Sequence, residues 1–185
     1  MTSRRDTLKA LGLAGGMTLF SPMTLLANGK PASKEKLGIA LVGLGYYSTD
    51  LLAPALQQTQ HCYLAGIVTG TPSKAEVWKT KYNIPDKNIY SYENFDSIKD
   101  NPDIDVVYVV LPPSMHREYV ERAAAAKKHV WCEKPMAVTV EECQAMIDAC
   151  KKNGVGLSIG YGCQHEPNTL AYQEIVREQK LGKVL

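Results

Sequence analysis

Residues 37–48 read Leu-Gly-Ile-Ala-Leu-Val-Gly-Leu-Gly-Tyr-Tyr-Ser, and no other stretch constrains the chain as much. Ile39 to Val42 is a short apolar run without alternation, as expected of a strand buried on both faces. Gly43, Leu44 and Gly45 follow as a turn, and Leu51 to Leu56 continues at helical spacing. Strand, glycine turn and helix in this order open a dinucleotide-binding unit. Glycine lets the backbone turn tightly and approach a pyrophosphate, whose charge is met by the free N–H groups at the helix start. Ser48 replaces the third glycine of G-x-G-x-x-G and is small enough to keep the packing close. By itself such a turn also follows strands that bind nothing, so the weight falls on what comes downstream.

Downstream, strands alternate with helices. Strands are expected at Cys62–Val68, Ile104–Leu111, Lys128–Cys132 and Gly156–Tyr161, and helices at Pro72–Tyr82, Ser114–Lys127, Val140–Lys152 and Pro167–Lys180. This order predicts an α/β fold with a doubly wound parallel sheet, the Rossmann dinucleotide-binding fold. Ligands on such sheets lie at the carboxyl ends of the strands, so the residues after each strand are the ones to read.

Strand two ends in Val68-Thr69-Gly70-Thr71-Pro72-Ser73-Lys74. A site selective for NAD places Asp or Glu here to accept from the ribose 2′-hydroxyl. This chain has Thr69, Thr71, Ser73 and Lys74 instead, at a helix start with Thr71 as N-cap and Pro72 in the first turn. Donors, a cation and a positive helix end suit a 2′-phosphate, which predicts NADP; the same residues also read as a plain helix cap, and the two are compatible. The third strand leads into Leu111-Pro112-Pro113-Ser114-Met115-His116, with His116 in the first turn of the next helix and able to face the site. The fourth ends in Cys132-Glu133-Lys134-Pro135, which sets a cation where a nicotinamide and a substrate hydroxyl would meet.

Residues 1–27 stand apart. Arg4, Arg5 and Lys9 precede a mildly apolar segment broken by Gly12, Gly15, Gly16 and Pro22, too short and too glycine-rich for a membrane span. The paired arginines followed by Leu8 and Lys9 resemble a twin-arginine export signal, with cleavage expected near Ala27 and a polar arm over 28–36. The chain has 21 Lys and Arg against 19 Asp and Glu. With Arg4, Arg5, Lys9 and Asp6 set aside the rest is balanced, 18 against 18, and nothing points to nucleic acid. Cys143 and Cys150 are about 10 Å apart along one helix, beyond disulfide reach, and Cys62, Cys132 and Cys163 fall in or beside strands. Buried free thiols are expected, and no metal-ligand spacing appears.

The glycine turn, the Leu111–His116 turn and the Cys132-Glu133-Lys134-Pro135 turn, in this order and spacing, resemble the glucose–fructose oxidoreductase (Gfo/Idh/MocA) family of NADP-dependent sugar dehydrogenases. Tyr92-Glu93-Asn94-Phe95-Asp96, Asn101-Pro102-Asp103-Ile104-Asp105 and the arginine signal resemble its periplasmic glucose–fructose oxidoreductase branch. The resemblance covers residues 37–185 and implies roles. Gly43, Leu44, Gly45, Tyr46, Tyr47 and Ser48 would hold the pyrophosphate; Thr69, Gly70, Thr71, Ser73 and Lys74 the 2′-phosphate; Tyr92 the adenine side. Leu111, Pro112, Pro113 and His116 would border the nicotinamide ribose. Glu133 would bind the carboxamide region, and Lys134 would be catalytic, contacting nicotinamide and sugar. Tyr161 would begin the crossing into a second domain.

The implied activity is hydride transfer from an aldose such as glucose to tightly bound NADP, returned to a ketose such as fructose, in a periplasmic homo-oligomer. Two departures stand out. Gly162 occupies a place where the branch usually has Arg, and the family continues past Leu181-Gly182-Lys183 into a second α/β domain. The chain is therefore expected to comprise a Rossmann domain over 37–161 and the start of a truncated second domain over 162–185, binding NADP without efficient turnover.

Overall fold

The computed structural model describes residues 34–183. The chain divides after Lys34, and the export signal, its cleavage point and most of the polar arm lie outside the described residues.

Strand β1 spans Leu37–Val42, and Ile39 through Val42 are fully buried. A helical stretch follows, π-helical over Tyr47–Leu52 and α-helical over Ala53–Leu56 (α1). Then come β2 (Cys62–Val68), α2 (Pro72–Tyr82), β3 (Ile89–Tyr90), β4 (Val106–Val109), α3 (Pro113–Ala125), β5 (His129–Cys132), α4 (Val140–Asn153), β6 (Leu157–Ile159) and α5 (Pro167–Arg177). Six parallel strands pair in the order β3-β2-β1-β4-β5-β6. The order reverses beside β1, and a crevice opens there between the ends of β1 and β4.

Alternation along each strand sends neighbouring side chains to opposite faces. Ala40, Val42, Val107, Val109 and Val130 pack with Tyr119, Val120 and Ala123 of α3 and Met146 of α4. Ile39, Leu41, Ile67 and Val106 pack on the other face with Ala53, Leu56 and Trp78. Both faces of β1 are thus covered, which is why its sequence is apolar throughout. Tyr108 and Trp131 lie on the second face where it runs beyond α1 and α2, half-buried and edge to face at 5.7 Å.

The element order matches the sequence reading, with four differences. The first helix begins at Tyr47 instead of Leu51. The two-residue β3 and the 3₁₀ turns Asp86–Asn88 and Phe95–Asp100 carry no periodicity that would reveal them. Thr71 occupies the N-cap of α2, but its side chain makes no capping bond; Thr139 does cap α4, accepting from Glu142 N at 3.2 Å. Cys132 and Cys150 are buried, whereas Cys62 and Cys143 are half-buried and Cys163 is exposed; all five are free.

Candidate functional site

The glycine turn is built by two different glycine requirements. Gly43 has φ +92°, and a Cβ there would stand 2.3 Å from the Val110 carbonyl oxygen and 2.8 Å from Leu111 Cδ2. Only glycine fits, because the turn presses against the end of β4. A Cβ on Gly45 would meet nothing within 4 Å, so this backbone faces open space. The buried Ser48 closes the loop from behind, its Oγ donating to the Gly43 carbonyl at 2.6 Å. Leu44 is buried. A cradle whose outer wall is bare backbone is what a diphosphate needs.

At the end of β2, the exposed Lys74 reaches back and its Nζ donates to the Leu44 carbonyl at 3.1 Å. Leu44, Gly45, Tyr46, Ser73 and Lys74 share a cleft of about 490 Å³, which Asp50 also lines. Thr69 is buried, and its hydroxyl accepts from Thr71 N at 3.2 Å, so it shapes this turn from inside. Tyr92 lies against Gly70, where a Cβ would meet the ring at 3.1 Å. Arg122 fixes that wall, donating to the Tyr92 carbonyl at 3.0 Å while its guanidinium lies 5.0 Å from the Tyr119 ring centroid.

The larger cleft, about 680 Å³, is where the strand ends converge. Gly45, Tyr46 and Tyr47 line it from the first turn, Leu111 and Pro112 from the end of β4, and Glu133 and Lys134 from the end of β5. Glu133 is nearly buried. Its Oε1 accepts from the Tyr108 hydroxyl at 2.5 Å and its Oε2 from Lys134 N at 3.2 Å. Gly160 is pressed on the same carboxylate: a Cβ there would meet Oε1 at 2.9 Å. Burial first, then the bond to Glu133, pushes the Tyr108 phenol well above its usual range. Burial and the Glu133 charge raise that of Tyr47 as well. Lys134 is exposed, and its ammonium meets no partner among the described residues. Glu133 and Lys134 are thus not an ion pair with each other: the acid is anchored inward and the cation is left at the cleft.

Several expected residues stand behind this surface. Pro113 opens α3 and does not line the cleft. His116 is fully buried and its ring nitrogens face three backbone carbonyls, which corrects the expectation that it faces the site. Tyr161, half exposed, lines an adjoining cavity of about 320 Å³ with Tyr47, Tyr108 and Trp131. Tyr108, Gly160, Cys163 and Glu166 were not read from the sequence as site residues. Glu166 lines the cleft, but its carboxylate is engaged at the start of α5, accepting from Thr169 N at 2.8 Å. Among the described residues no three His, Cys, Asp or Glu side chains gather as a metal set.

The comparisons agree with this architecture. D-xylose 1-dehydrogenase (NADP(+)) of Haloarcula marismortui is 29% identical over 155 residues, covering 83% of this chain and 42% of that protein. A crystal structure of aldose-aldose oxidoreductase from Caulobacter crescentus complexed with glycerol superposes with TM-score 0.76 at 50% identity, covering 78% of this chain and 43% of that one. Apo scyllo-inositol dehydrogenase from Lactobacillus casei, at 23% identity and TM-score 0.71, shares the fold; 80% of this chain and 43% of that one are covered. The chain therefore spans less than half the length of these relatives. A family model described as "Oxidoreductase family, NAD-binding Rossmann fold" matches residues 37–161, and the chain belongs to that family, the Gfo/Idh/MocA oxidoreductases.

Proposed function

We propose that this chain is the NADP-binding part of a sugar oxidoreductase that oxidises an aldose, with glucose as donor and fructose as returning acceptor in the specific form implied by the sequence. One observation carries the reading: the open backbone of Gly45 and the unpartnered Lys134 line the same cleft at the carboxyl ends of the strands. The residues present fit a dinucleotide. The turn at Gly43–Gly45 would take the diphosphate and the wall of Gly70 and Tyr92 the adenine. Ser73 and Lys74 would take a 2′-phosphate, since the end of β2 carries no acidic residue. Bound NADP would supply the hydride acceptor, while the protein supplies position and electrostatics. Lys134 would hold the sugar hydroxyl and favour loss of its proton; Glu133, fixed by Tyr108 and Gly160, would orient the nicotinamide end. The names of the xylose dehydrogenase and aldose-aldose relatives support an aldose as the substrate class.

The test is a titration of the chain with NADPH and NADH followed by nicotinamide fluorescence, then glucose-dependent reduction of bound NADP. Tight NADPH binding with reduction supports the whole reading, and binding without reduction supports an NADP-binding module. No binding of either nucleotide overturns both. In a form of the protein that turns over, Lys134→Met is expected to abolish reduction and leave nucleotide bound.

The export signal makes a periplasmic location part of this proposal. Arg4 and Arg5 support it. Export already folded would let the enzyme carry its nucleotide out with it. Fractionation of cells making the wild type and an Arg4→Lys, Arg5→Lys variant tests this: retention of the variant in the cytoplasm is expected. A homo-oligomer for the longer form also belongs to the proposal, and sedimentation tests it.

A further inference from the structure

We propose that His116 is a positioning residue which ties the loop after β4 to the loop carrying Lys134, and so sets the nicotinamide end of the cleft. Its imidazole is fully buried. Nε2 lies 2.8 Å from the Leu111 carbonyl oxygen, five residues before it. Nδ1 lies 3.0 Å from the Pro135 carbonyl oxygen and 3.1 Å from that of Met136. Carbonyl oxygens only accept, so the ring is the donor; a ring with one proton serves one loop at a time, and a ring with two serves both.

What makes this more than a satisfied core histidine is which loops it joins. Leu111 and Lys134 line the 680 Å³ cleft from the ends of the neighbouring strands β4 and β5. Strand pairing between β4 and β5 ends with Glu133 N donating to the Val109 carbonyl at 3.0 Å. Beyond that bond, among the described residues, no backbone hydrogen bond connects 110–112 with 134–138. The two loops separate from the sheet there, and the His116 ring, held by the first turn of α3, is wedged between them with Nε2 on one loop's carbonyl and Nδ1 on the other's. Removing it would take the ring's N–H from the part-buried carbonyls it faces and let Lys134 and Leu111 move independently. The glycine turn, Lys74 and Tyr92 lie at other strand ends and have no bond to this ring.

This inference rests on the nucleotide reading above and predicts a split in affinity. The 185-residue chain and its His116→Phe and His116→Gln variants are titrated with NADPH and with 2′,5′-ADP, which keeps the adenine and 2′-phosphate and lacks the nicotinamide. The expected result is NADPH affinity weakened roughly tenfold in His116→Phe, and less in His116→Gln, whose amide keeps a donor, with 2′,5′-ADP affinity unchanged. Equal losses for both ligands, or no loss for either, would overturn the proposal. So would failure of both variants to fold, which would make His116 a folding residue. A wild-type chain that binds neither ligand would instead remove the nucleotide reading itself, and the two failures are told apart by the wild type alone.

Discussion

The Tyr108 hydroxyl donates to Glu133 Oε1 across 2.5 Å, joining the middle of the sheet to the loop that carries Lys134. The acid is almost out of water, and its second oxygen accepts from a backbone N–H, that of Lys134. Removing the phenol would leave a carboxylate with one donor fewer in a half-sealed place. Tyr108→Phe is therefore expected to destabilise the fold by about 1–3 kcal/mol, the range for orphaning a buried polar group, and to weaken NADPH binding. Denaturant unfolding monitored by Trp78 and Trp131 fluorescence measures the first and nucleotide titration the second.

The two glycines of the first turn are expected to fail in different ways. Gly43→Ala puts a Cβ 2.3 Å from the Val110 carbonyl at φ +92°, a position costing about 1–3 kcal/mol for a residue with a side chain. Its melting temperature should fall. Gly45→Ala meets no protein atom, so its melting temperature should match the wild type while nucleotide affinity drops. Equal melting behaviour in the two variants would contradict this account of the turn.

Lys74 is expected to decide between the two nucleotides. Lys74→Ala should weaken NADPH binding by about tenfold, near 1.4 kcal/mol, and leave NADH nearly unchanged. Lys74 itself is exposed and its one bond here, to the Leu44 carbonyl, is only part-buried, so its loss should barely move stability. Parallel loss for both nucleotides would place the effect in the glycine turn.

Stability should fall on the alkaline side. Burial first, then the charge of Glu133, pushes the Cys132 thiol from its ordinary 9.0 up to about 12. Burial also raises Cys62 and Cys150. The folded pKa lies above the unfolded one, so the contribution is whole below pH 9 and is lost as pH rises toward 12. Cys132→Ala should flatten this slope between pH 9 and 12 in denaturant unfolding. At neutral pH the exposed Cys163 should react first with a thiol reagent, and Cys132 only on unfolding.

The strands, their order with the helices and the glycine turn were legible because each rests on a local cause. A double-faced buried strand must be apolar, a tight turn needs glycine, and a helix needs length. Leu111, Pro112, Glu133 and Lys134 were legible for a topological reason: parallel sheets place their ligands after the strands, whatever the side chains are. Side-chain direction past the last paired residue follows no period, so the sequence could not tell that Lys134 stays open while Glu133 turns inward.

Tyr108 shows the other limit. In sequence it is one aromatic residue within an apolar strand, 25 positions from Glu133. Only the pairing of β4 with β5 brings the phenol beneath the acid. His116 is the same case: three carbonyls from two distant loops meet around one ring because α3 returns over the sheet. Local chemistry determined the elements and the turn, since neighbours in the chain suffice to make them. Tertiary packing alone decided which polar groups are buried and paired and which are left facing the cleft, because those partners come from strands far apart in the chain.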